Sequence, residues 1–257
     1  MKQPTLWQNL HDALLALGDL FMPRACIVCG RPLGMRERHL CLICAADLPM
    51  TGYEIRRHNP MADRFNALLE RGRGTEKMEY SYAAALLFYT GGYKQIPRAL
   101  KYHADLSGGR AFARLLGQRL SGVPHYSDVD LVIPVPLHWT RRWERGYNQA
   151  EVIAQELASC LGVPCRPRLL VRVRRTRSQA RLPTADKADN VASAFRLQRP
   201  AASDSLYAAR HILLVDDTFT TGATLYACYQ ALRPYVSARI SIATLALAPG
   251  HPAERRR

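Results

Sequence analysis

Lysine is scarce in this chain: of 36 basic residues only 5 are Lys and 31 are Arg. Acids are few as well, 21 in 257 residues, which leaves a formal net charge of +15. A balance this basic favours anionic partners. Between Glu156 and Asp186 no acid occurs, while Arg166, Arg168, Arg172, Arg174, Arg175, Arg177 and Arg181 fall in that interval. Arg141, Arg142 and Arg145 form a second basic cluster upstream. These blocks read either as a polyanion-binding face or as a solvated surface with some arginines turned to a ligand's phosphates. Aromatic stacking partners are sparse beside them. No apolar run approaches the ~20 residues of a membrane helix. Ala13-Leu-Leu-Ala-Leu17 faintly imitates a secretory leader, but Asp12 and Asp19 bracket it and no small-residue cleavage site follows. An amphipathic helix is the better reading, and with it a cytoplasmic location. Internal repeats and a helix-turn-helix pattern are also missing.

The most informative segment is Ile212-Leu-Leu-Val-Asp-Asp-Thr-Phe-Thr-Thr-Gly-Ala-Thr224. Ile212 to Val215 reads as a short strand of the kind buried in parallel sheets. Asp216 and Asp217 sit where it would end. A hydroxyl-rich loop, Thr218-Phe219-Thr220-Thr221-Gly222, follows, and a helical pattern runs from Ala223 to about Leu232. Such a loop and the helix start behind it form an anion cradle, to which Thr220, Thr221 and Thr224 add hydroxyls. Paired acids suit the hydroxyls of a sugar, so the unit reads as a ribose-phosphate site. An Asp-Asp helix cap would be the plain alternative, but it needs neither both acids nor the Thr-Thr-Gly order. The segment resembles the signature of type I phosphoribosyltransferases, which implies binding of 5-phosphoribosyl-1-pyrophosphate, with Mg2+ on the pyrophosphate and Asp216 and Asp217 as the catalytic acids.

Cys26-Ile-Val-Cys29 and Cys41-Leu-Ile-Cys44 form two C-x-x-C knuckles. Two such pairs can complete a closed tetrahedral Zn2+ site with a structural role. Disulfides or a redox pair compete, although the tandem spacing favours zinc. Cys160, Cys165 and Cys228 lack such spacing.

Residues 1–50 are expected to hold a leading helix and the four-cysteine, zinc-ribbon-like module, 51–79 a connector or part of a hood, and 80–250 the main domain. Within it, strands are expected at 83–89, 129–133, 169–173, 212–215 and 239–247, and helices at 106–120 and 147–161. Strands alternating with helices imply an α/β fold with a mostly parallel sheet. Arg145-Gly-Tyr-Asn-Gln-Ala150 opens a helix just after a strand end. That puts Arg145 where it can meet a phosphate, with Asn148 and Gln149 as contacts to a base or backbone, or Asn148 as a plain cap.

With these landmarks placed, the chain resembles the ComF family, phosphoribosyltransferase-like proteins linked to natural competence and DNA utilisation. The likeness is carried by the four cysteines, Tyr93, Lys101-Tyr-His103, Pro134-Val-Pro-Leu-His138, Arg145 to Ala150, Thr176, Gln179, Leu182, Asn190, Phe195 and the Asp-Asp loop. Ala104, Lys187 and Ser193 depart from its pattern. The resemblance implies a type I phosphoribosyltransferase fold, Lys101 and Arg145 among the ligand contacts, and a role in DNA uptake. It leaves two functions open. One is phosphoribosyl transfer with pyrophosphate release. The other is a non-catalytic module that senses the ligand and binds single-stranded DNA, a helicase or competence proteins.

Overall fold

Four runs of small and branched apolar residues make the central sheet of this computed structural model, in which residues 23–71, 79–102, 106–174, 194–198 and 205–249 are described. Strands β1 (Ala83–Phe88), β2 (Leu131–Pro134), β5 (His211–Phe219) and β6 (Arg239–Leu247) are all parallel, in the order β1-β6-β5-β2. Alternate side chains feed two cores. Ala83, Ala85, Leu131, Ile133, Ile212 and Leu214 enter one, and Ala84, Leu86, Val132, Leu213 and Val215 the other. Strands covered on both faces need apolar residues at every position, which is why they read as unbroken runs.

The first core is roofed by α2 (Pro60–Arg71) and α8 (Ala223–Leu232), the second by α4 (Leu106–Ser121) and α6 (Gln149–Leu161). Helix α2 lies inside the stretch expected as a connector or part of a hood. Asn59 starts it, its Oδ1 accepting from the N–H groups of Met61 and Ala62, and Met61, Phe65 and Leu69 line its buried face. Phe65 meets Tyr229 edge-on at 6.3 Å between ring centres. Truncating so deeply buried a ring costs roughly 3–5 kcal/mol. Helices α4 and α6 are also clamped by charge: Arg110 Nη1 donates to Glu156 Oε1 at 2.8 Å and Arg114 Nη2 to Oε2 at 2.9 Å.

Three further elements differ from the sequence reading. Helix α3 (Gln95–Tyr102) and helix α5 (Trp139–Arg145) were not expected. The strand expected over 169–173 is β3 (Leu170–Arg172), and it does not join the parallel sheet. It pairs antiparallel with β4 (Phe195–Leu197) as a separate two-stranded hairpin. The short helices α1 (Leu42–Ala46) and α7 (Ser205–Ala208) complete the set among the described residues.

The cysteine knuckles close onto the second core, where Cys26, Leu40, Cys41 and Cys44 are buried beside Leu87 and Ile96. The chain then runs along the free edge of β1, with Thr51 N–H donating to Leu86 O and Phe88 N–H to Pro49 O. Covering an edge in this way blocks pairing with a stray strand. No helix among the described residues is long and apolar enough to cross a membrane. The leading helix, His103, Ala104, Arg175, Thr176, Arg177, Gln179, Arg181, Leu182, Lys187, Asn190 and Ser193 lie outside the described residues.

Candidate functional site

The connections of β2 and β5 decide where a ligand can sit. From β2 the chain passes through α5 to α6, whose Val152, Ile153 and Leu157 enter the second core. From β5 it turns to α8, whose Leu225, Cys228 and Leu232 enter the first. Adjacent parallel strands whose helices leave to opposite faces open a crevice beyond their carboxyl ends. A cleft of about 520 Å³ lies there, bordered by Val135 and Pro136 after β2, Asp216 and Asp217 on β5, and Asn148 and Gln149 at the start of α6.

Asp216 is half-buried and Asp217 buried. Asp216 Oδ1 accepts from the Asp217 N–H at 2.8 Å, and Lys101 Nζ lies 2.5 Å from Asp217 Oδ2. Burial, and then the neighbouring Asp217 charge, push the Asp216 carboxyl up to about 8. Burial opposes the Lys101 ammonium, but Asp217 and then Asp216 outweigh it and hold its pKa above the usual lysine value. Asp216 is thus the carboxyl here whose protonation answers to the charges beside it.

The loop is shorter than the sequence reading had it. Strand β5 continues through the acids to Phe219, pairing Asp216 with Thr244, Thr218 with Ala246 and Phe219 with Leu247. Thr218 and Phe219 therefore end a strand. The Phe219 ring is buried in the core, with the Arg64 guanidinium 5.2 Å from its centre, and its carbonyl accepts from the Ala248 N–H at 2.8 Å. Thr218 Oγ1 is buried and has no hydrogen-bond partner among the described residues. The turn proper is Thr220 to Gly222. Thr220 and Thr221 are exposed, and Thr221 Oγ1 accepts from the Ala223 N–H at 3.4 Å. Gly222 starts α8 at φ +81°, and a Cβ there would fall 2.8 Å from Leu68 Cδ1 and 2.9 Å from Phe219 Cζ. Only glycine meets both demands. Arg64 Nη2 donates to Thr220 O and braces the turn from α2.

Cations surround the acids. Lys101, Arg141, Arg145 and Arg172 all border the cleft, with Glu144 as the additional carboxylate. Arg145 closes α5 and donates to Gln149 Oε1 at 3.0 Å. Arg172, on β3, lies over the Phe195 ring at 5.2 Å. Burial, and then nearby Arg141, pull its pKa below the ordinary arginine value. Arg172 thus takes the cleft-facing alternative left open for its block, whereas Arg168 and Arg174 are exposed. Asn148 is a cap: its Nδ2 donates to Val135 O at 3.0 Å and its Oδ1 accepts from the Ala150 N–H at 3.1 Å. Sequence reading gave Arg64 and Glu144 no site role, and left Arg172 in a basic block whose facing stayed open. Their only signal was charge, which does not tell an inward from an outward side chain.

The four knuckle sulfurs lie within 4.8 Å of one another, a group that can hold a metal ion. Cys29 and Cys41 Sγ are 3.8 Å apart. Tetrahedral Zn–S bonds of about 2.3 Å imply sulfurs about 3.8 Å apart, so the group fits zinc. Glu37 staples the turn between the knuckles, its carboxylate accepting from the Gly34 and Leu42 N–H groups at 2.7 Å each. Tyr93 Oη donates to Cys44 O at 3.2 Å and ties the module to the main domain.

Comparison with known proteins agrees with this geometry. Residues 147–257 match the family described as Phosphoribosyl transferase domain. Competence protein F of Haemophilus influenzae is 37% identical over 127 residues, 48% of this chain and 54% of that protein. The match therefore spans about half of that relative's length. DNA utilization protein YhgH of Salmonella typhi is 28% identical over 225 residues, and that of Escherichia coli K12 25% over 232, each covering 83% of this chain and 92% of the relative. The resemblance to the ComF family thus holds: the chain is an α/β relative of Competence protein F and the YhgH proteins, with a phosphoribosyl transferase domain and an N-terminal four-cysteine cluster.

Proposed function

We propose that the cleft binds 5-phosphoribosyl-1-pyrophosphate together with Mg2+, and that the protein acts in DNA uptake or the use of external DNA. The observation that carries the reading is the pair Asp216–Asp217 at a parallel-sheet switch point, flanked by the Thr220-Thr221-Gly222 turn and bordered by four cations. The turn and the α8 N-terminus suit the 5′-phosphate. Asp216 and Asp217 suit the ribose hydroxyls. Lys101, Arg141, Arg145 and Arg172 suit the pyrophosphate, and Mg2+, when bound with that ligand, would neutralise more of its charge, with Asp216 and Glu144 as available carboxylates.

Phosphoribosyl transfer passes through positive charge at the anomeric carbon and needs no covalent nucleophile. Holding the sugar between fixed acids and an anion cradle therefore supplies the main contributions, positioning and electrostatic stabilisation. Asp216 and Asp217 would favour the developing charge. The four cysteines are assigned structural Zn2+, which fits a cytoplasmic setting where thiols stay reduced. The names of the relatives support the link to DNA, and the basic charge supports contact with a polyanion such as single-stranded DNA.

The test is pyrophosphate release from phosphoribosyl pyrophosphate and Mg2+ across a panel of purine and pyrimidine acceptors. Release with one acceptor class makes the protein a transferase. Binding without release makes it a sensing module, and no binding at all removes the reading.

A further inference from the structure

Helix α5 has two faces with different neighbours. At four-residue spacing Arg141 and Arg145 share one face, and both border the cleft. Trp139 and Trp143 share the opposite face, and they remain 70% and 73% exposed. Nothing in the helix is buried. It is held instead by the His138 cap on Thr140, by the Gly146 N–H donating to Arg142 O at 2.8 Å, and by the bond from Arg145 to Gln149. Among the described residues neither indole enters a core, although the His138 ring lies 5.7 Å from that of Trp139, so two of the largest apolar side chains stay mostly in water. Adjacent exposed apolar groups on a basic surface mark a place of contact.

We propose that Trp139 and Trp143 form a stacking platform for single-stranded nucleic acid, with Arg142 beside them on the strand's phosphates. The charge fits this occupant. Arg142 is about half exposed, its partner Glu151 at 3.2 Å is mostly covered, and Glu144 turns to the cleft. The spacing fits as well. Residues four apart rise about 6 Å along a helix, and a base held between two rings at contact distances of roughly 3.5 Å each needs about 7 Å. Unpaired bases offer their faces to indoles, whereas a duplex hides them, so the platform is selective for single strands and tolerant of sequence. The proposal rests on the DNA link of the proposed function and not on the ribose-phosphate cleft, so each can fail alone.

The experiment titrates the full chain, in a Trp7→Phe background, with a fluorescein-labelled 15-nucleotide oligothymidylate, reading the anisotropy of the label in every variant and tryptophan quenching where a tryptophan remains. Phosphoribosyl pyrophosphate binding is measured in parallel. Binding should quench the fluorescence. Trp139→Ala and Trp143→Ala should each weaken it about tenfold, in the range found for aromatic residues that stack on bases. Trp139→Phe with Trp143→Phe should keep most of the affinity, a rescue that a loss of charge or fold would not give. Sugar-phosphate binding should be unchanged in all of these variants. Oligonucleotide affinity within twofold of wild type in a folded double-alanine variant would overturn the proposal. So would quenching by anionic phospholipid vesicles without quenching by the oligonucleotide, or a wild-type dimer that Trp143→Ala dissolves, since either gives the platform another occupant.

Discussion

Asp216 and Asp217 are neighbours in sequence with different surroundings: Asp217 holds Lys101, and Asp216 accepts from the Asp217 N–H. A carboxyl raised from 3.8 to about 8 keeps its proton in the native state where the unfolded chain has lost it. Its contribution to stability therefore falls as pH rises from about 4 to 8. Asp216→Asn should remove that slope and raise the stability of the ligand-free protein at neutral pH, by on the order of 1 kcal/mol, while sugar-phosphate binding is lost. Denaturant titrations at pH 5 and pH 8 check both the sign and the slope. Gly222 carries the opposite expectation. Gly222→Ala forces a side chain into positive φ and into Leu68 and Phe219, so stability should drop by about 1–3 kcal/mol and ligand affinity with it. Thermal melting with and without ligand measures the two losses separately.

Elements with a continuous apolar signal were legible in the sequence. Strand β6 and helix α8 fall where periodicity put them, Arg239–Leu247 and Ala223–Leu232. Strand β5 was read four residues short at its end because two acids break the apolar run there; that end is held by pairing with β6, which a local pattern does not contain. Helix α5 was invisible for the converse reason: it buries nothing, and its single apolar pair, Trp139 and Trp143, is too short a pattern to mark a helix. Helix α2 had a stripe, Met61, Phe65 and Leu69, obscured by the glycines and charges around it. Of the expected site residues, the acids, Lys101, Arg145 and Thr224 meet at one cleft, while Thr218 and Phe219 belong to the strand. Between elements, the clamp of Glu156 on Arg110 and Arg114 makes a further expectation. Burial raises the Glu156 carboxyl, but the two arginines outweigh it and hold its pKa below 4.5. That contribution is present above the unfolded value and disappears as pH falls through the native one. Glu156→Gln should cost about 1 kcal/mol at pH 7, an amount limited by the exposure of both arginines, and the difference from wild type should shrink toward pH 3. Urea unfolding across that range tests it.

At the scale of the whole molecule the cysteine module and the sheet share one core, since Cys26, Cys41 and Cys44 pack beside Leu87 and Ile96. Metal loss should therefore reach beyond the knuckles. Freshly prepared protein should carry one zinc per chain, and Cys29→Ser or Cys41→Ser should lose it and lower the melting temperature of the whole. Elemental analysis and calorimetry measure these; zinc-free, stable protein would remove the assignment. The central claim is that the crevice at the end of β5 holds a ribose phosphate. Its most direct measurement is titration calorimetry of phosphoribosyl pyrophosphate with and without Mg2+, on wild type and on the folded Asp216→Asn, Asp217→Asn double variant. Magnesium-dependent binding in wild type, weakened at least a hundredfold by the double substitution, is the expected result. Equal affinity in the two proteins would contradict it.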